Sequence, residues 1–106
     1  MKVSELTGAA LDWAVAKCEG EEVRLIKGQL EALWTDNGYK PSTDWAQGGP
    51  IIEREKTAIK ENGYGHWFAK VGAGKWMRGP TPLIAAMRCY VTSKLGSEVE
   101  IPEELK

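Results

Sequence analysis

The chain has 106 residues, 42% of them hydrophobic and 27% charged, the profile of one ordinary globular domain spanning 1–106, which excludes intrinsic disorder as the default state. Fourteen basic and fifteen acidic residues leave a net charge of -1, so no long-range field draws in a polyanion and nucleic acid is disfavoured as a partner. No apolar run approaches a membrane span, and the opening M-K-V-S-E-L-T-G-A-A lacks the apolar region of a signal peptide, which points to the cytoplasm and away from membranes.

Thr7 with Gly8 is placed to open a first helix, along which Leu11, Ala14, Val15 and Cys18 recur at helical spacing until Gly20 stops it. Asp12 and Lys17 are expected on its solvent side. Between Glu21 and Trp34 two patterns compete. Val23 and Leu25, then Leu30, Ala32 and Trp34, alternate as two strands around Lys27-Gly28-Gln29, while Ile26, Leu30, Leu33 and Trp34 also fit a helical face; the hairpin is the preferred of the two. Thr35-Asp36-Asn37-Gly38 then supplies turn chemistry.

The densest chemistry lies in Pro41 to Glu55, P-S-T-D-W-A-Q-G-G-P-I-I-E-R-E. Ser42 or Thr43 is placed to cap a first turn through Trp45 and Gln47. Gly48 and Gly49 are expected to interrupt it with a break, a kink or a close approach, and Pro50 to start a helix again. Ile51, Ile52, Glu55 and Ile59 mark its inner face, and Glu53, Arg54, Lys56 and Lys60 a solvated side whose ion pairs are worth a few tenths of a kcal/mol.

Tyr64 to Val71 reads as a strand with Trp67, Ala69 and Val71 on one face and His66, Phe68 and Lys70 on the other, and Lys75 to Arg78 as its antiparallel return. Trp67 and Trp76 are then expected to pack together or flank a pocket. Gly79-Pro80-Thr81-Pro82 opens the last helix, with Thr81 as cap and Pro82 at the first helical position; Leu83, Met87, Val91 and Leu95 form its buried stripe, and Gly96 ends it. Val99 and Ile101 suggest a short extended segment within a looser tail over 97–106. The sum is an α+β fold of about three helices and a small, mostly antiparallel sheet.

No catalytic apparatus emerges. Gly72-Ala73-Gly74-Lys75 lacks both the earlier glycine and the hydroxyl residue of a phosphate loop, and Gly63-Tyr64-Gly65 lacks the third glycine of a dinucleotide site. One histidine and two distant cysteines do not make a metal site, and Cys18 and Cys89 read as buried thiols. Glu53 and Glu55, two apart on a helix, face different ways. Asp44 has two readings: a loop carboxylate beside Trp45, or a helix cap. Binding chemistry is better represented. Gly48 and Gly49 can expose backbone N–H groups, Trp45 or Trp76 can stack on a planar ring, and Arg78 or Arg88 can grip a phosphate or carboxylate.

P-S-T-D-W-A-Q-G-G-P-I-I-E-R-E, G-P-T-P-L-I-A-A-M-R-C-Y-V, the close K-L-G-S-E-V-E and the opening L-T-G-A-A-L-D-W-A-V-A together resemble the NinX-like proteins of lambdoid and related phages over nearly the whole chain. More distantly, the chain resembles a phage domain described as an α/β/α sandwich. The resemblance implies a phage accessory protein in an infected bacterium and no particular reaction.

The expectation is a non-catalytic module without a cofactor or metal. It would hold a small anionic or nucleotide-like ligand, such as a host defence signal, against Ser42, Thr43, Asp44, Trp45, Gln47, Gly48 and Gly49 on one side and Trp76, Arg78, Thr81 and Arg88 on the other. The alternative is an adaptor that binds a host protein through exposed aromatics; a small hydrolase using Asp44 or His66 has little support. Five tryptophans in so short a chain are also compatible with a homodimer or higher oligomer.

Overall fold

The computed structural model describes residues 1–35 and 37–106. The elements run α1 (Gly8–Glu19), β1 (Arg24–Ile26), β2 (Gln29–Glu31), α2 (Trp45–Glu55), β3 (Ala58–Glu61), β4 (Trp67–Lys70), β5 (Met77–Gly79) and α3 (Pro82–Leu95), with single 3-10 turns at Val3–Glu5 and Glu103–Leu105. This is an α+β fold: three helices, a two-stranded antiparallel sheet β1-β2 and a three-stranded antiparallel sheet β3-β4-β5.

α3 is the element around which the others assemble. Thr81 accepts from the N–H of Ile84, Pro82 occupies the first turn, and Gly96 closes the far end. Instead of a stripe, every residue from Leu83 to Val91 is buried, while Leu95 is largely exposed. A helix apolar all round is one covered all round. The sheet β3-β4-β5, α1, α2 and the Val3–Glu5 turn all pack on it. The approach is close enough to require glycine at position 79, where a Cβ would lie 2.5 Å from the Ala85 nitrogen.

The three-stranded sheet has a clean two-sided register. Ile59 pairs with Ala69 and Ala69 with Met77, and this row packs on the core; Lys60 pairs with Phe68 and Phe68 with Arg78, and this row faces away from it. Ile59 therefore belongs to β3 and not to the face of α2. The helix ends earlier than its apolar spacing suggests, because Lys56 turns left-handed at φ 54° and sends the chain back as a strand.

α1 ends as expected, with Gly20 at φ 71°. Thr7 stands at its N-cap position without a side-chain bond. Asp12 is not on the solvent side: it is 4% exposed and accepts the Ser42 backbone N–H at 2.8 Å. The 21–34 segment contains the hairpin, but only over Arg24–Ile26 and Gln29–Glu31; Val23, Ala32 and Trp34 lie outside its strands. Leu25 pairs with Leu30 across the turn Lys27-Gly28, whose two positive φ values are those of a type I′ connection. Leu30 enters a small second cluster with Ala16, Ala32 and Tyr39. Of the turn expected next, Asp36 lies outside the described residues.

α2 also departs from expectation. It runs unbroken through Gly48, Gly49 and Pro50, and its cap is Asp44, which accepts the Ala46 N–H, not Ser42 or Thr43. Gly48 marks a close approach and not a break: a Cβ there would stand 2.3 Å from the Pro41 oxygen and 2.6 Å from Leu83. The chain ends meet as well. The N–H of Val3 donates to Ser97 and that of Val99 to Met1, while Ile101 is buried.

Candidate functional site

The Pro41–Glu55 loop spends most of its polar groups on its own shape. Gln47 accepts the Lys40 N–H at 2.9 Å and donates to the Gly38 oxygen at 2.9 Å and to Asp44 at 3.3 Å, pinning the incoming loop to α2. Asp44 is the helix cap. Ser42 is fully buried; its backbone N–H anchors on Asp12, and its hydroxyl has no hydrogen bond of good geometry among the described residues, although it lies beside that carboxylate. Burial pushes the Asp12 carboxyl up to about 6, partly offset by the hydroxyl and N–H of Ser42.

Ser42, Thr43 and Trp45 do meet Thr81, Pro82 and Leu83, at a depression of about 190 Å³ beside the start of α3. Trp45 is 54% exposed there. Gly49 is half-buried on α2 and not in the depression's lining. Arg88 is 9% exposed, and its guanidinium donates to the Leu6 and Arg78 carbonyls at 2.9 and 2.8 Å; burial, with help from Arg78, lowers its pKa. It links α3 to the chain's start and to β5 and so is committed to the fold.

Trp76 and Arg78 belong to a different surface. The Lys60 and Lys70 ammonium groups stand 4.3 and 5.1 Å from the Trp76 ring centre, on the outer side of β3-β4-β5. Trp67 faces the core from the opposite side, so the two tryptophans neither pack together nor share a pocket.

Two further clusters escaped sequence reasoning. In the first, Arg54 grips both oxygens of Glu19 at 3.0 and 2.6 Å, donates to Tyr90 at 3.1 Å and to Glu55 at 2.9 Å, and the Tyr90 hydroxyl donates to Glu19. The Arg54 bond chiefly holds Glu19 below its ordinary pKa, whereas burial and Glu19 raise that of Tyr90. This ties α1, α2 and α3 together. Glu19, Arg54 and Tyr90 are tens of residues apart, and no local spacing announces them. Close by, burial pushes the Cys18 thiol up to about 11, and Cys89 is raised by burial too; both are free, neutral thiols.

The second is a groove of about 540 Å³ along the hairpin, lined by Glu21, Glu22, Arg24, Ile26 and Glu31 and continued by Ala32, Leu33 and Trp34. Leu33 is fully exposed, and Ile26 and Trp34 are about half exposed. Trp34 is nevertheless held: its indole N–H donates to Glu21 at 2.7 Å, and Tyr39 meets its ring edge-on with centres 5.9 Å apart. Leu33 and Trp34 form a turn just after β2, and two large apolar residues running into turn chemistry were the available signal.

Among the described residues no group of three or more His, Cys, Asp or Glu side chains gathers to hold a metal, and no helix is long and apolar enough to cross a membrane. No curated protein matches the chain. The family model described as Bacteriophage P22, NinX matches residues 2–94. The match spans most of the chain, from before α1 to the last turn of α3, and the chain belongs to the phage P22 NinX family.

Proposed function

We propose that this phage accessory protein is a non-catalytic adaptor that acts in the host cytoplasm by binding another protein through its hairpin groove. The observation that carries this reading is Trp34, half exposed yet fixed by Glu21 and Tyr39. An aromatic already held in place loses less side-chain entropy on binding, and tryptophan is enriched among interface anchors. Leu33 and Ile26 extend the apolar surface around it, and an exposed apolar patch of this kind is costly unless something covers it. Glu21, Glu22 and Glu31 against the single base Arg24 favour a partner segment with basic residues flanking its apolar anchor.

The test is affinity capture from infected cells with three baits. Wild type and Trp45→Ala should retain the same stoichiometric polypeptide, and Leu33→Asp should lose it. Equal recovery with Leu33→Asp removes the groove from the function.

A second reading, sequestration of a small anionic or nucleotide-like ligand, draws on the meeting of Ser42, Thr43, Trp45 and Thr81. The depression is smaller than the roughly 300 Å³ at which ligand pockets begin, and Gln47, Asp44 and Arg88 are engaged elsewhere. Native mass spectrometry of gently purified protein tests it. A bound mass lost in Trp45→Ala supports the ligand, and an apo mass from infected cells removes it.

A further inference from the structure

The net charge of -1 hides a strong segregation on the three-stranded sheet. By register, the side facing away from the core carries Ala58 and Lys60 of β3, Phe68 and Lys70 of β4, and Arg78 of β5. Every ionisable residue in that set is a base. Trp76 lies on the same side, 4.3 Å below the Lys60 ammonium and 5.1 Å from that of Lys70. Three cations and two aromatic rings thus share one strand face with no carboxylate among them. Lys60, Trp76 and Arg78 are exposed, Phe68 and Lys70 half-buried.

We propose that this face binds single-stranded nucleic acid. The chemistry is that of stacking platforms flanked by phosphate contacts. Aromatic rings accept bases of any sequence on their π-faces, and Lys or Arg beside them neutralise the backbone. The lysines now resting on Trp76 have long unbranched stems, that of Lys60 exposed and that of Lys70 half-buried. A base can take their place on the ring while their ammonium groups turn to the adjoining phosphates, exchanging a weak surface cation–π contact for a stack and an ion pair. The face is open and not concave, which suits a strand laid across it better than a lone nucleotide, whose affinity depends on enclosure. Neutral overall charge forgoes long-range steering but leaves short-range phosphate contacts intact.

The experiment is fluorescence anisotropy of a labelled oligothymidylate of about twelve nucleotides, a length within the usual range of single-strand sites. Saturable binding is expected at about 50 mM salt, weakening roughly eighteen-fold by about 200 mM, the loss that three phosphate contacts on a single strand produce. The combined Lys60→Gln, Lys70→Gln, Arg78→Gln variant should bind at least about tenfold more weakly with a nearly flat salt dependence. Trp76→Ala should weaken binding roughly tenfold at unchanged salt slope, and Trp76→Phe should recover most of it. Circular dichroism melts confirm that each variant is folded. No saturable binding at low salt, or wild-type affinity in the triple variant, overturns the proposal. Thymidine monophosphate competing as well as the oligomer overturns the strand reading in favour of a small-ligand site.

Discussion

β4 and β1 are both short antiparallel strands, yet Ala69 of β4 is fully buried whereas Arg24, Leu25 and Ile26 of β1 are all exposed. The difference lies in what stands behind each strand. β4 has a neighbour on either edge and α3 against one face, so half of its side chains are forced inward. β1 has β2 as its sheet neighbour, and it is β2 that contacts α1 and sends Leu30 into the core. The alternation of a strand fixes which residues share a face, and the covering element decides whether that face is dry. The sheet on α3 therefore carries stability, and the hairpin is left with apolar surface available for a partner.

Substitutions sharpen that contrast. The largest effect is expected at Gly79→Ala, where the new methyl meets Ala85 backbone atoms at 2.5 and 2.8 Å. Neither backbone yields cheaply, so a loss above about 3 kcal/mol is expected, read as a fall of more than about 10 °C in the melting temperature.

Asp12 gives a pH signature of comparable size. Its carboxyl is raised from an ordinary 3.8 to about 6 by burial, so the folded chain holds the proton more tightly than the unfolded one. Stability must then fall as pH rises from about 4 to about 6, by up to about 3 kcal/mol, and level off above that. Glu19, whose pKa is lowered mainly by its bond from Arg54, acts with the opposite sign and at lower pH: its contribution is present above its ordinary value of 4.5 and is lost on acidification. In Asp12→Asn the decline between pH 4 and 6 should disappear, and the variant should melt no lower than wild type at pH 7.

Arg88→Met strips donors from the Leu6 and Arg78 carbonyls and should cost about 2 kcal/mol by chemical denaturation. At the small end stands Leu33→Asp on the hairpin. A fully exposed side chain contributes little to the fold, so its stability should stay within about 0.5 kcal/mol of wild type while partner capture is lost. A large loss of stability there would show that the hairpin face belongs to the folded core.

Local chemistry made much of the fold legible. Thr81-Pro82 and Gly96 bounded α3, Gly20 ended α1, and the strand read over Tyr64 to Val71 marked β4 with its inward and outward sides, though β4 itself runs only Trp67–Lys70. Reading failed where distant chain decided the outcome. Gly48 left a break, a kink and a close approach all open, because glycine lowers helix propensity whatever packs beside it, and only the folded chain fills the space it vacates with Pro41 and Leu83. Asp12 looked solvated because its neighbours on α1 do not reveal that the Ser42 loop closes over it. The assembled set Ser42 to Gly49 with Trp76, Arg78 and Arg88 divides for the same reason. Arg88 is drawn into the core by two carbonyls, and Trp76 and Arg78 follow the sheet to its far side. Composition likewise counted the charges without showing that Lys60, Lys70 and Arg78 share one face.

The most direct test of the adaptor account is photo-crosslinking in infected bacteria, with a benzophenone amino acid placed at Leu33 and, as a control, at Tyr64, which is also highly exposed but lies in the turn between β3 and β4. The account predicts that the probe at position 33 traps one discrete polypeptide other than this chain, and that the probe at position 64 does not. A second copy of this chain trapped at 33, or the same diffuse background from both positions, would contradict it.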